Sequence, residues 1–307
     1  SQVKECDPVF DYLSDNNLLG PVEYRERFEL AIEAREFRMA KWLAKNIDQQ
    51  HIEIASRWIQ AQEHPQRFLQ RHNTALNSDA YRAQLTYAAE RLTYDDPEVA
   101  NRLWTKLEKR YGFSEEQKLR TRRHIALWTA RDNLAAGYYR LAALPAAAQN
   151  DEVLRWRART SLRDSNWQRL LLDVDAMQPG ERDSEEWQYW RAVALQRTGK
   201  VAEARTILET LSTERSYYGF LAADEIGEAY ALDDTTLAAD DAALVALANH
   251  PGIVRARELF LVGLDGRGRS EWDAAVRSLD ADQKMQAAIL ADRWGWHSRA
   301  ISVASRI

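Results

Sequence analysis

The chain has one cysteine, Cys6, among its 307 residues, so it can hold no internal disulfide, and its redox compartment is left open. Glycine and proline are scarce, at 12 and 7. The longest stretches without either run from Val22 to His64, Gln66 to Asp96 and Ala146 to Gln178. A β-sandwich of this length would need many more turn residues, and period-2 alternation is nearly absent, so no sheet is expected. No apolar run approaches the roughly 20 residues of a membrane span. The start, Ser1-Gln2-Val3-Lys4-Glu5, is too polar for a secretory h-region, so any signal peptide has been removed or never existed. The net charge of −5 lacks the basic excess of a nucleic-acid binder.

Catalytic signatures are missing too. The six histidines form no HExxH, and no two stand at i,i+3 or i,i+4. There is no GxSxG, Walker loop or GxGxxG, and no metal or cofactor is expected. Gly263, Gly266 and Gly268 cluster after a helical run, which reads as a helix–helix turn. With 47 acidic residues, no carboxylate pair is informative, and Glu186 and Glu225 read as caps or solvated charges.

What is present is helical period in a chain that is 45% hydrophobic. From Tyr24 to Leu43, Phe28, Ala31, Ile32, Met39, Trp42 and Leu43 fall at mixed three- and four-residue spacing, as the buried stripe of a helix pair requires. His51 to Leu69 repeats this with Ile54, Ala55, Trp58, Ile59 and Phe68, and Pro65 can open a new helix. Start signals recur: Asp95-Asp96-Pro97-Glu98, the capping box Ser114-Glu115-Glu116-Gln117, and Asp183-Ser184-Glu185-Glu186. Tyr189 to Leu211 places Ala194, Leu195, Gly199, Ala204 and Leu211 where a tetratricopeptide unit wants small or apolar residues. Helix pairs with one buried stripe each must stack, which gives a solenoid. The expected fold is all-α, a right-handed α-superhelix of short antiparallel helix pairs, TPR-like in part. The acidic, weakly periodic stretch from Glu225 to Asp241 marks a boundary. The expected domains are a helix-repeat domain at 1–228 and a smaller helical domain at 229–307.

Two arginine runs stand out, Arg120-Thr121-Arg122-Arg123-His124 and Arg155-Trp156-Arg157-Ala158-Arg159. On helices only Arg120 with Arg123, and Arg155 with Arg159, share a face, and both runs are read as solvated. Of the eleven tryptophans, Trp58, Trp104, Trp128 and Trp190 sit at stripe positions and are expected in the core. Trp294-Gly295-Trp296 is read as marking a junction.

Arg215-Ser216-Tyr217-Tyr218-Gly219-Phe220-Leu221-Ala222-Ala223, preceded by Glu186-Trp187-Gln188-Tyr189-Trp190-Arg191-Ala192 and by Gly199, Glu203-Ala204 and Ile207-Leu208, resembles the helical region of soluble lytic murein transglycosylases. Arg255-Ala256-Arg257-Glu258-Leu259, Gly263-Leu264 and Arg269-Ser270-Glu271-Trp272 resemble that family's linker domain. Glu5-Cys6-Asp7-Pro8-Val9-Phe10 and Gly20-Pro21 are similar to an internal stretch of the same helical region. The resemblance implies a periplasmic ring or horseshoe of helix pairs, closed by the linker, on which a C-terminal lysozyme-like domain docks. That domain cleaves the MurNAc–GlcNAc bond to a 1,6-anhydro product. Its Glu-Ser, Gly-Leu-Met-Gln and Ala-Tyr-Asn-Ala-Gly signatures do not occur here, so the catalytic domain is expected to be missing, the chain to be an internal fragment, and Cys6 to have lost an earlier partner. No catalytic residue is carried over, and whether the chain itself is an enzyme is left open. The implied role is to shape the ring and guide glycan strands, with Arg155, Arg159, Arg255 and Arg257 as candidate contacts to peptide or lactyl carboxylates. The alternatives are a TPR-like protein-interaction scaffold and, against the acidic net charge, an RNA-binding helical repeat.

Overall fold

A computed structural model describes residues 8–9, 12–13, 16, 19–232 and 237–306. Cys6, the rest of residues 1–7, Phe10, and residues 233–236 of the acidic stretch lie outside the described residues. All regular structure among the described residues is helical. The chain divides into two compact units, Ser1–Ala231 and Leu232–Ile307.

The first unit holds helices α1 (Pro21–Glu33), α2 (Phe37–Ala44), α3 (Gln49–Glu63), α4 (Pro65–Gln70), α5 (Asp79–Thr93), α6 (Pro97–Leu107) and α7 (Glu115–Arg131). It continues through α8 (Gly137–Ala142), α9 (Asp151–Arg163), α10 (Trp167–Asp175), α11 (Pro179–Arg182), α12 (Glu185–Arg197), α13 (Val201–Leu211) and α14 (Tyr217–Ile226). The second holds α15 (Asp241–Ala248), α16 (Pro251–Leu261), α17 (Asp265–Arg277), α18 (Ala281–Arg293) and α19 (His297–Ala304).

Starts follow the sequence signals. Asp96 accepts from the Val99 amide with Pro97 at the first helical position. Ser114 and Gln117 close a reciprocal capping box, and Asp280 with Gln283 forms a second. Ser184 opens α12 without a side-chain cap bond.

Stops explain why so little glycine suffices. Seven described residues have positive φ: Arg35, Asn133, Ser165, Gly199, Gly227, Gly263 and Gly295. After each one, the next amide donates to the carbonyl five residues back, from Glu36 to Ala31 through Trp296 to Ala291, at 2.8–3.1 Å. This is the Schellman closure, which satisfies carbonyls that the helix end would orphan. Three of the seven turns use arginine, asparagine or serine, so hairpin closure here is not legible from glycine alone. Ser165 is exposed, and its side chain makes no hydrogen bond among the described residues that would hold it there. A Ser165→Gly variant is therefore expected to unfold later, by on the order of 0.5–1 kcal/mol, because left-handed strain is relieved by more than the added chain entropy opposes it. Thermal denaturation checks this.

Cores are local: in the first unit helices close in sequence supply each one, and in the second α15 also packs on α18. One gathers Leu69, Leu85, Trp104 and Ile125 from α4 to α7. Another joins Leu154, Leu170, Val174 and Trp187, and the next Leu195, Ala204 and Leu208. In the second unit Ile253, Trp272 and Leu290 are central. Fully buried alanines, such as Ala40, Ala55, Ala88, Ala158 and Ala204, let helices approach closely. Packing between sequence neighbours only is the mark of a solenoid.

Three expectations are corrected. Met39 and Trp42 are exposed at 39% and 55%, while α2 buries Phe37, Ala40, Leu43 and Ala44. The left-handed turn at Arg35 resets the helical phase, so a stripe counted continuously from Tyr24 lands on the wrong face of α2. Trp58 and Trp104 are core, but Trp128 and Trp190 are only half-buried. Finally, only Gly263 is a turn residue, whereas Gly266 and Gly268 lie inside α17. A Cβ on Gly268 would stand 3.0 Å from the Phe260 ring and 3.1 Å from the Ala256 carbonyl, so this glycine permits the α16–α17 crossing.

Candidate functional site

The half-buried tryptophans belong to one row on the first unit. It lies on the first helix of successive pairs, and each places a residue triplet at i, i+4, i+7, which is one face of a helix. The triplets are Tyr87, Arg91 and Tyr94 on and just beyond α5; His124, Trp128 and Arg131 on α7; and Glu152, Trp156 and Arg159 on α9. Helix α12 continues the row with Glu186 and Trp190.

Contacts run from helix to helix. Tyr94 meets Trp128 edge-on with centroids 4.7 Å apart, and His124 at 5.4 Å. The Arg131 guanidinium lies between two indoles, 5.2 Å from the centroid of Trp128 and 5.5 Å from that of Trp156. Arg159 also stands over Trp156, at 5.5 Å. Cations over indole faces are drawn by the ring quadrupole, and the pairing fixes both partners at modest loss of solvation. Glu152 holds Arg131 at 2.6 Å and Glu186 reaches Arg159 at 3.6 Å. At the other end, Arg35 lies over Tyr87 at 5.6 Å, and Tyr87 closes edge-on against Trp58 and Phe37.

Midway the row opens into a cleft of about 310 Å³, whose walls include Tyr94, Arg120, Arg123, His124, Trp128 and Arg131. Arg120 is engaged by Glu90 at 2.9 Å, whereas Arg123 makes no ion pair among the described residues. Partial burial holds the His124 imidazole below its ordinary pKa, against the pull of Glu90, so at neutral pH the ring is uncharged. It offers a polar edge and an apolar face. Tyr218, near Glu186 and Trp190, has its phenol raised by burial first and by Glu186 second, and stays protonated as a donor. The surface is thus one of half-exposed rings, fixed guanidiniums and neutral hydroxyl or imidazole groups. It can stack against the apolar face of a ring-shaped ligand and hydrogen-bond the ligand's rim. It presents no paired carboxylates in an apolar pocket, the arrangement that acid–base chemistry on a glycosidic bond uses.

The four arginines picked out from sequence take different places. Arg159 is in the row. Arg155, on the same helix, binds Glu181 at 2.9 Å, and Glu181 also accepts from the Trp187 indole N–H at 3.0 Å, so Arg155 ties α9 to α11 and α12. In the second unit, Arg255 pairs with Glu271 at 2.9 Å across α16 and α17, and Arg257 lies over the Trp294 ring at 4.7 Å. Arg120, Arg123 and His124, read from sequence as a solvated face, instead line the cleft. Overlaying the triplets at 124 and 152 would have exposed the row, since both place tryptophan at i+4 and arginine at i+7; the triplet at 87 keeps the spacing but has its arginine at i+4.

Residues 246–307 match the family model described as the soluble lytic murein transglycosylase L domain. The chain is 28% identical over 301 residues to the soluble lytic murein transglycosylase of Escherichia coli K12, and 28% identical over 299 residues to that of Salmonella typhimurium LT2. Each alignment covers 96% of this chain and 46% of the relative, so the chain spans about half the length of the curated relatives it matches. Among solved structures it superposes on an inactive mutant of lytic transglycosylase Slt from Pseudomonas aeruginosa with a TM-score of 0.77 at 26% identity, covering all of this chain and 50% of that one. It superposes on the 70-kDa soluble lytic transglycosylase of E. coli with a TM-score of 0.75 at 26% identity, covering 99% and 49%. Fold, near-complete alignment and the L-domain match together make the chain similar to the helical half of soluble lytic murein transglycosylases and support that family.

Proposed function

We propose that this chain is a non-catalytic helical module of a periplasmic peptidoglycan lytic transglycosylase, and that the aromatic–arginine row of its first unit guides glycan strands. The parent enzyme would cleave MurNAc–GlcNAc bonds to 1,6-anhydro products with residues outside this chain. The observation that carries the reading is the row itself. Pyranose rings offer flat C–H faces to indoles, and the lactyl and peptide carboxylates of murein suit guanidiniums that already stand beside those indoles. Successive stacked helices each present an aromatic ring beside an arginine, except that α12 adds Glu186 and Trp190, and such recurrence fits a polymer of repeating units. A protein-interaction scaffold would instead favour an apolar groove, and the cleft beside Trp128 sets three guanidiniums, an imidazole and the Glu152 carboxylate beside Tyr94, Leu127 and Trp128.

The test is cosedimentation of the chain with purified insoluble sacculi, with the supernatant assayed for anhydro-muropeptides. Binding without release is expected. Release would overturn the non-catalytic assignment, and failure to sediment would overturn the glycan assignment in favour of a scaffold.

A further inference from the structure

A second cleft, in the first unit, is not part of the row. Helix α3 ends and α4 begins at one residue, His64, because Pro65 can start a helix but not continue one. The sharp turn, with the loop that follows α4, borders an open cleft of about 550 Å³. Arg57, Arg67 and Arg71 line this space with His64, and no Asp or Glu does. The nearest acids are poor counter-charges. Glu53 stands 3.9 Å from Arg57 at its closest, and Glu63 is engaged by Arg38 at 2.9 Å. Arg57 Nε is buried without a hydrogen-bond partner, and Arg67 and Arg71 make no ion pair among the described residues.

The rim is built, not loose. Asn73 donates its amide to the Tyr81 hydroxyl at 2.8 Å, and its carbonyl accepts from the Tyr111 hydroxyl at 3.1 Å. His72 Nδ1 stands 2.7 Å from that same hydroxyl. Burial pushes the Tyr111 phenol up to about 12, so it remains a donor. Three guanidiniums held around one cavity repel each other, and they gain most from a ligand that brings several negative charges. A space of this size exceeds what one compact oxyanion fills and lies in the range of small-molecule sites.

We propose that the α3–α4 cleft binds a multiply charged carboxylate, with Arg57, Arg67 and Arg71 each engaging a carboxylate group. The source is either a free tricarboxylate or a run of acidic side chains on a peptide, which share this chemistry. The proposal does not depend on glycan binding by the row.

Calorimetric titration of the whole chain with tricarballylate, with an acetylated tri-glutamate peptide and with inorganic phosphate tests it at fixed ionic strength. Carboxylate binding is expected to weaken at least tenfold in the Arg67→Gln/Arg71→Gln double variant, whose side chains are exposed and whose thermal unfolding without ligand should be unchanged. Arg102→Gln, on the exposed face of α6, should bind as wild type. Tighter binding of tricarballylate or of the peptide identifies the source. Absence of binding by both carboxylates, equal binding of phosphate, or an equal loss in Arg102→Gln would overturn the assignment.

Discussion

Replacing Trp128 and Trp156 by alanine is expected to weaken binding to sacculi roughly tenfold for each ring, with the fold retained. Both indoles are half-exposed, so their removal opens surface rather than a sealed cavity. Arg131 bridges them, at 5.2 and 5.5 Å from the two centroids, and keeps its 2.6 Å ion pair with Glu152 when either ring is lost. The double variant should therefore fall short of the product of the singles, since groups that share a partner are not additive. Trp42→Ala is the control: that ring is 55% exposed, more than Trp128 or Trp156, and lies on α2, outside the row. If Trp42→Ala weakens sedimentation as much as Trp128→Ala does, general aromatic stickiness explains the binding and the row has no special part.

The largest stability loss is expected at Asp173. This carboxylate on α10 is fully buried, where burial pushes its pKa above the ordinary range against the neighbouring guanidiniums. It pairs with Arg157 at 2.5 Å and accepts from the Ser161 hydroxyl at 3.0 Å. Arg157 and Arg169 in turn lie 5.7 and 4.1 Å from the centroid of Tyr138, so one charge organises the packing of α8, α9 and α10. Asp173→Ala leaves Arg157, whose side chain is 18% exposed, with the Gln149 side chain at 2.9 Å and the Tyr138 ring but without a counter-charge. Breaking such a pair from one side destabilises by about 3–5 kcal/mol. The double variant Asp173→Leu/Arg157→Met removes both charges and should recover most of that loss. Denaturant unfolding measures both, and amide exchange should place the loss in α9 and α10. The pH dependence has a definite sign. A raised folded pKa means that the folded chain binds this proton more tightly than the unfolded one, so the residue's contribution falls as pH rises from the unfolded value through the folded one. Asp173→Asn should abolish that slope. A single-charge variant as stable as wild type would mean that the pair is not what holds these helices.

Much of the fold was legible in the sequence, for a local reason. Helix starts rest on contacts three residues apart, so Asp96-Pro97 and Ser114 with Gln117 could be read as written. Stripes of one buried face imply stacking, so the solenoid followed from period alone. The quoted segments carried the family resemblance because they lie in a stretch that aligns over most of its length with those relatives. Hairpin closures at Arg35, Asn133 and Ser165 were hidden, since the left-handed region has no dedicated residue other than glycine.

What the tertiary structure decided was which face of each helix meets which neighbour. Trp42, Trp128 and Trp190 look like core tryptophans in any single helix. Their exposure depends on the phase reset at each left-handed turn and on where buried alanines let helices close up. The row from Tyr87 to Trp190 needs α5, α7, α9 and α12 side by side, although about thirty residues separate one triplet from the next. The arginine clefts likewise exist only once α3, α4 and α7 have placed cations from separate turns around common space. Hydrogen bonding within a helix is a short-range property of the chain, while register between helices is set by side-chain volume across the contact. The sequence alone therefore determined the helices and their stacking, and packing alone decided the surface they present.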